Sequence, residues 1–191
     1  MKPVLRHLLA LLLVLIASPV AAHPLHGAGA GLMSGFGHPF AGLDHLLAML
    51  AVGAWAAHIG GQAIWKVPLV FIGALLLGGA LGIAGFSLPH VEPMVAASVL
   101  ALGLLLASGR ILGPFPAALL TIFFGLFHGL AHGAEWAVAG SVVAYGLGFL
   151  LATGALHAAG AAAALWARHW IRLAGAPIVL CGCWLIARLA V

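Results

Sequence analysis

Two histidines and a glutamate, His128, His132 and Glu135, interrupt a long apolar run in the second half of the chain. If this run is helical, the three side chains project from one face, because 3.6 residues per turn brings positions 0, 4 and 7 together. Two imidazoles one turn apart can bind one divalent metal ion, and the carboxylate adds a third, charged ligand. Histidines that only hydrogen-bond to neighbouring helices are the simpler alternative. Burial of an ionisable side chain in the bilayer is energetically unfavourable, however, so such residues usually mark a functional site.

A second cluster, His38, Asp44 and His45, lies nearer the N-terminus. On an ideal helix His38 and His45 share a face, whereas Asp44 is rotated by about 100° from His45. Because His38 precedes Pro39, we expect it to lie just outside the start of the helix. Asp44 could ligate metal directly, or it could accept the second N–H of a ligating histidine and fix its tautomer. A charge partner for the helix N-terminus is the alternative role for Asp44.

The composition indicates the environment in which these clusters work. Of the 191 residues, 65% are hydrophobic and only 5% are charged, whereas soluble domains carry about 25% charged residues. The sequence therefore predicts an integral membrane protein. Its seven basic residues are scattered and form no patch, so we expect no nucleic-acid partner. We interpret these residues, which raise the pI to near 9.8, as loop charges that set the orientation of the protein in the membrane. Each of the three acidic residues has a histidine within three positions, which adds His90 and Glu92 as accessory metal ligands.

The N-terminus has the features of a secretory signal peptide, with two basic residues, a short apolar core and a small-residue cleavage site after Ala22. We expect residues 1–22 to be removed and residues 23–191 to form a single polytopic transmembrane domain. Cleavage would make His23 the first residue, and its α-amine and imidazole, with His26, could capture metal outside the membrane. An ordinary mature terminus is the equally weighted alternative.

The mature chain is predicted to be all-α, a bundle of about six transmembrane helices. Each predicted span is near the twenty residues needed to cross the hydrocarbon core. The spans run over Pro39–Ile59, Val67–Phe86, Val91–Ser108, Pro114–Gly133, Ala137–Ala159 and Leu173–Val191, with Ala167 as the alternative end of the fifth span.

Basic residues predict the orientation of this bundle, because cytoplasmic ends carry an excess of Lys and Arg. With the mature N-terminus outside, only Arg188 lies on the outer side. The residues that then lie at cytoplasmic ends are Lys66, Arg110, Arg168 and Arg172. All three carboxylates fall in the outer half. His157 lies deep on the fifth span, where it could make a helix–helix hydrogen bond or serve as an inner relay site. His58 and His169 are expected to be interfacial side chains near the inner face.

The two motifs, HPFAGLDH at residues 38–45 and FHGLAHGAE at residues 127–135, resemble the HupE/UreJ family of hydrogenase and urease accessory proteins. The resemblance extends over the signal peptide, the mature start at His-Pro, the number of spans and the order of the motifs. It implies a bacterial inner-membrane permease for nickel, with cobalt as an alternative substrate, that supplies nickel-enzyme maturation. It also implies a periplasmic mature N-terminus that begins at His23. The implied metal ligands are His38, Asp44, His45, His128, His132 and Glu135.

The ligand types narrow the metal only in part. Imidazole and carboxylate without a thiolate suit Ni²⁺, Co²⁺, Zn²⁺ or Cu²⁺. We expect the protein to be a facilitated carrier that moves the metal ion inward, and not an enzyme. The ion is then its substrate, and we expect no permanent cofactor. The chain has no Walker-type loop, so ATP coupling within it is disfavoured, while coupling to protons or to another subunit stays open. Expected partners are the metal ion and the lipid bilayer, and glycine ridges are compatible with packing inside one chain or in a homo-oligomer.

Two other functions are weighed against a carrier. An intramembrane metal-dependent hydrolase could hold Zn²⁺ with an open position and activate water, with Glu135 or Glu92 as general base. A haem protein could use His128 or His157 as axial ligands on facing helices.

Overall fold

The computed structural model describes residues 31–189, apart from the side chains of Ala134 and Val138. These residues form helices and connecting loops, with no strand in the part described. The α-helices are α1 (Leu32–Ala41), α2 (Leu43–Ile59), α3 (Ala63–Ile83), α4 (Val91–Ser108), α5 (Pro114–Val138), α6 (Val142–Trp166) and α7 (Ile171–Leu189). A 3₁₀ turn, Arg168–Trp170, joins α6 to α7. The predicted signal peptide, His23 and His26 lie outside the described residues.

Helix length and surface composition identify the bundle as a multi-pass membrane protein. Five helices are long and apolar enough to cross a bilayer, and there are six spans if the bent pair α1 and α2 counts as one. Large apolar side chains cover the exterior, among them Phe115 and Trp166, which are 78% and 80% exposed. An apolar exterior suits lipid rather than water. The prediction of an all-α bundle with about six spans is confirmed.

Most helix boundaries lie close to the predicted spans, and α4 matches its span at both ends. The structured helices α3 and α5 extend beyond the apolar runs into polar residues, as at Lys66 and Glu135. Hydropathy marks only the part of a helix that is apolar, so it misses such terminal turns. The fifth span begins later than expected, at Val142, where the Ser141 side chain caps the helix by accepting the Ala144 N–H.

The first predicted span is wrong as a single helix. Instead of one helix from Pro39 to Ile59, the chain bends by 88° between α1 and α2, at Gly42, whose backbone is extended. His38 is therefore not outside a helix start; it lies within α1 together with Pro39. Packing outweighs the local bias against helix before proline, because the backbone of α1 contacts α6 at Gly35 and Gly148. At 1.5 Å per residue α1 is about 15 Å long, too short to cross the membrane alone.

Glycines bring the helices together in pairs. The most extensive contacts are between α3 and α5, α4 and α7, and α2 and α6, with α1 also packed on α6. A Cβ atom added at Gly129 would overlap the Leu75 carbonyl oxygen, and one added at Gly53 would overlap that of His157. The glycines Gly125, Gly129 and Gly133 of α5 thus allow a close approach within one chain, with α3 as the neighbour.

The histidines of the two motifs and most of the basic residues occupy opposite ends of the bundle. At one end His58 Nε2 lies 3.1 Å from the Gly109 carbonyl oxygen, and His58 lines a cavity with Arg168. At the other end His38 reaches His132. This separation agrees with the predicted topology, in which the first end is cytoplasmic; which membrane face each end meets stays a prediction.

Candidate metal site

Three potential ligands from two helices meet at the histidine-rich end. His38 on α1 and His132 and Glu135 on α5 each offer one ligand atom, and these atoms lie within 4.8 Å of one another. His38 Nε2 is 2.9 Å from His132 Nδ1 and 3.3 Å from Glu135 Oε2. His132 Nδ1 is 2.8 Å from the same carboxylate oxygen. The bend at Gly42 makes this meeting possible, since it turns α1 across the end of the bundle.

The triangle formed by these three atoms fits one face of a metal coordination sphere. For an ion about 2.1 Å from each atom, edges near 3 Å correspond to ligand–metal–ligand angles of about 90°, as on an octahedron. Tetrahedral angles would need edges of about 3.4 Å at the same bond length. The arrangement therefore leaves further coordination positions for water or for other side chains.

His45 and Asp44 extend this cluster. His45 Nε2 lies 2.6 Å from His132 Nε2. On the other side of the ring, His45 Nδ1 lies 3.1 Å from Asp44 Oδ1, which also accepts the His45 backbone N–H at 2.8 Å. Of the two metal-related roles predicted for Asp44, the structure favours orientation of His45 over direct ligation, because the carboxylate already faces the ring nitrogen.

The contacts in the cluster leave a place for one more positive charge. The chain of contacts from Asp44 through His45 and His132 to Glu135 contains three close pairs. Each pair needs one proton between its two acceptor atoms, but two neutral imidazoles carry only two protons. One positive charge is therefore missing, and a divalent metal ion that replaces protons can supply it.

Glu135 contributes a formal negative charge to the site. It lies beyond the apolar span Pro114–Gly133 of α5. Partial burial acts to raise the pKa of its carboxyl group, but the hydrogen bond and the charge of His132, followed by the charge of His38, outweigh burial and lower the pKa. The carboxylate is thus ionised at neutral pH and attracts cations.

A cavity of about 200 Å³ gives access to the cluster. It is lined by His38, Ala41, Gly42, Asp44, His45, Glu92, Ala131 and His132. Glu92, predicted as an accessory ligand, is exposed and adds a second carboxylate, beside that of Asp44, to the lining of this opening. Its predicted companion His90 does not line the cavity. His90 instead directly precedes α4 as its N-cap residue, with a left-handed backbone, φ 64°.

His128 does not share the ligand triangle with His132, contrary to the sequence prediction. It lies one helical turn deeper, about 6 Å along the axis, and it is fully buried. Its Nε2 atom is 2.8 Å from Ser98 Oγ, and its ring packs edge-on against His45 with centroids 4.5 Å apart. Positions i and i+4 do share a face, but α1 covers only the outer end of that face, so it reaches His132 alone.

His157 lies still deeper, away from the metal cluster. It is 2% exposed, and its ring packs against Phe71 with centroids 5.3 Å apart. Among the described residues neither of its ring nitrogens has a hydrogen-bond partner, so the predicted helix–helix hydrogen bond is not found. His58 and His169, expected to be interfacial, lie at the basic end, where His169 is exposed.

Sequence reasoning missed two kinds of residue around the site. Ser98 is a hydroxyl in the middle of an apolar span, a signal that could have identified it as a partner of a buried histidine. Phe149 forms an aromatic wall, with ring centroids 5.7 Å from His38 and 5.6 Å from His132. Nothing in the local sequence distinguishes this phenylalanine from one that faces lipid.

Comparisons with known proteins agree with the resemblance of the two motifs. The family model described as HupE / UreJ protein matches residues 11–185. The curated protein named Protein HupE from Rhizobium leguminosarum bv. viciae is 45% identical over 150 residues, which cover 78% of each chain. No solved structure gives a significant match.

Proposed function

The chain belongs to the HupE/UreJ family, and from this membership we propose that it is a permease for a divalent transition-metal ion. Its substrate is Ni²⁺, with Co²⁺ as the alternative, and it moves the ion inward across the bacterial inner membrane for hydrogenase or urease maturation. The mature N-terminus is periplasmic, so the cavity beside Glu92 opens to the periplasm. The substrate and the role in enzyme maturation are those that the family resemblance implies.

The observation that carries this proposal is the convergence of His38, His132 and Glu135 in one accessible cluster. Two imidazoles and a carboxylate suit a borderline divalent ion, and the angles near 90° leave positions open for ligands that the ion brings or exchanges. A transport site needs such openness, because it must bind well enough to admit the ion and weakly enough to release it.

The functional test is uptake of radioactive Ni²⁺ by proteoliposomes that contain the purified protein, with Co²⁺ and Zn²⁺ as competitors. We expect flux in the wild type and its loss in Asp44→Ala, because His45 then loses the partner that orients its ring. The variant must insert normally for this comparison. Protein that is folded and correctly inserted, binds metal and moves none of the three ions would contradict the permease and favour the hydrolase.

A further inference from the structure

Beyond the outer cluster, polar side chains with unused ligand atoms continue into the apolar core. Among the described residues, His128 Nδ1, Thr153 Oγ1 and both ring nitrogens of His157 are buried without a hydrogen-bond partner. The exposed fractions of the three side chains lie between 0% and 2%. Buried polar atoms without partners are uncommon, because each carries a desolvation cost that nothing offsets. Several of them in one part of the core therefore indicate a function.

Ser98 determines which nitrogen of His128 is free. The Ser98 hydroxyl donates to the Val95 carbonyl oxygen at 2.6 Å, so its oxygen is left to accept from His128 Nε2–H at 2.8 Å. A neutral imidazole with its proton on Nε2 carries a lone pair on Nδ1. His128 thus presents a metal-binding lone pair inside the core, in the tautomer that its serine partner sets.

Thr153 and His157 provide the next unused atoms along the bundle. They are four residues apart on α6, so their side chains lie on one face of that helix. The Phe71 ring contacts both His128 and His157, with centroid distances of 5.5 and 5.3 Å. A sequence of ring contacts therefore runs from His45 in the outer cluster to His128, and through Phe71 to His157.

We propose that Thr153 and His157 form a second, inner station for the divalent cation, which receives the ion from His128 past the Phe71 ring. The inner station rests on the proposed transport function and deepens it by assigning a path through the core. One imidazole and one hydroxyl hold a partly hydrated ion weakly, which suits a site that must release its ion. The path leads towards the cavity of about 260 Å³ at the basic end, where Ala164 of α6 forms part of the wall.

Two variants test the inner station in full-length protein, by Ni²⁺ flux in proteoliposomes and by equilibrium Ni²⁺ binding in detergent. His157→Leu should lower flux at least tenfold, and the isosteric Thr153→Val should lower it severalfold. Both should bind Ni²⁺ at the outer cluster within twofold of the wild-type affinity. Their unfolding temperatures should be equal to or above that of the wild type, since each change removes a buried polar group without a partner.

Thr121→Val is the matched control. Thr121 is also a buried threonine on a spanning helix, but its hydroxyl donates to the Ala117 carbonyl oxygen at 2.7 Å. Its replacement should leave flux within twofold of the wild type while lowering the unfolding temperature. This result would be the opposite of the one expected for Thr153→Val, in which flux falls and the unfolding temperature does not. The contrast follows because the Thr121 hydroxyl only stabilises its helix.

Wild-type flux in both Thr153→Val and His157→Leu would overturn the inner station and leave the permease intact. If His157→Leu does not fold, Thr153→Val decides alone, and normal flux in it overturns the inner station. Absence of Ni²⁺ flux in the wild type itself would refute the permease, and the inner station with it.

Discussion

Replacement of Gly129 by alanine should disable the metal site through the helix packing behind it. Gly129 lies between His128 and His132 on α5, and its Cα faces α3. An added Cβ would overlap the Leu75 carbonyl oxygen and lie 2.7 Å from the Gly79 backbone nitrogen. These are backbone atoms, which cannot rotate away as a side chain can, so α3 and α5 must separate by about 1 Å to restore ordinary contact distances.

The size of the effect follows from this displacement. Overpacking of this kind costs about 1–3 kcal/mol, and the better helix propensity of alanine offsets about 0.5–1 kcal/mol of it. In the wild-type structure the ligand atoms of His132 and Glu135 lie 2.8–3.3 Å from their partners. A shift of about 1 Å at such distances removes contacts, since a misplacement of this size commonly costs about a hundredfold in function. We expect Ni²⁺ affinity to fall at least tenfold.

The assay is calorimetric Ni²⁺ binding together with thermal unfolding in detergent, and Gly73→Ala is the matched control. Gly73 lies on α3, and an added Cβ would meet nothing within 4 Å. This control should keep wild-type affinity and should be as stable as the wild type or more so. Equal affinity and stability in Gly129→Ala and the wild type would refute the conclusion that backbone contact between α3 and α5 positions the ligands.

Three further predictions concern the site itself. Glu135→Gln, which removes the charged ligand but keeps its shape, should weaken Ni²⁺ binding more than tenfold in calorimetry, whereas His169→Ala at the opposite end should not change it. Ser98→Ala should lower Ni²⁺ flux severalfold, because His128 loses the partner that fixes its tautomer. Ser108→Ala is the control: the Ser108 hydroxyl also donates to a carbonyl three residues earlier on α4, but it is exposed. Ni²⁺ affinity should fall as pH is lowered through the range in which the ligating imidazoles bind protons, because metal and protons compete for the same nitrogens; an affinity independent of pH in a titration from neutral to acidic buffer would exclude histidine ligation.

The sequence was sufficient for the class of fold and for most of the residues that meet in the outer cluster, because both depend on local patterns. Apolar runs near twenty residues identify spanning helices, and rare carboxylates beside histidines identify the metal cluster. The bend at Gly42 was not predictable, since hydropathy continues across it and only the packing of α1 on α6 makes it favourable. For the same reason His128 was assigned to the wrong part of the site: helical periodicity gives the face of a side chain but not which neighbour covers it.

The long chain separation within the outer cluster has a consequence for how the protein is made. His38 and His132 are 94 residues apart, so at about 5–20 residues per second the first ligand waits roughly 5–20 s for the second during synthesis. In that interval the nascent chain has neither His132 nor Glu135, and Asp44 is already able to hold its neighbour His45. The proposed set of ligands is therefore complete only when α5 has been inserted and α1 has folded across the bundle. On the proposed function, an incomplete chain would therefore hold the ion more weakly than the finished protein.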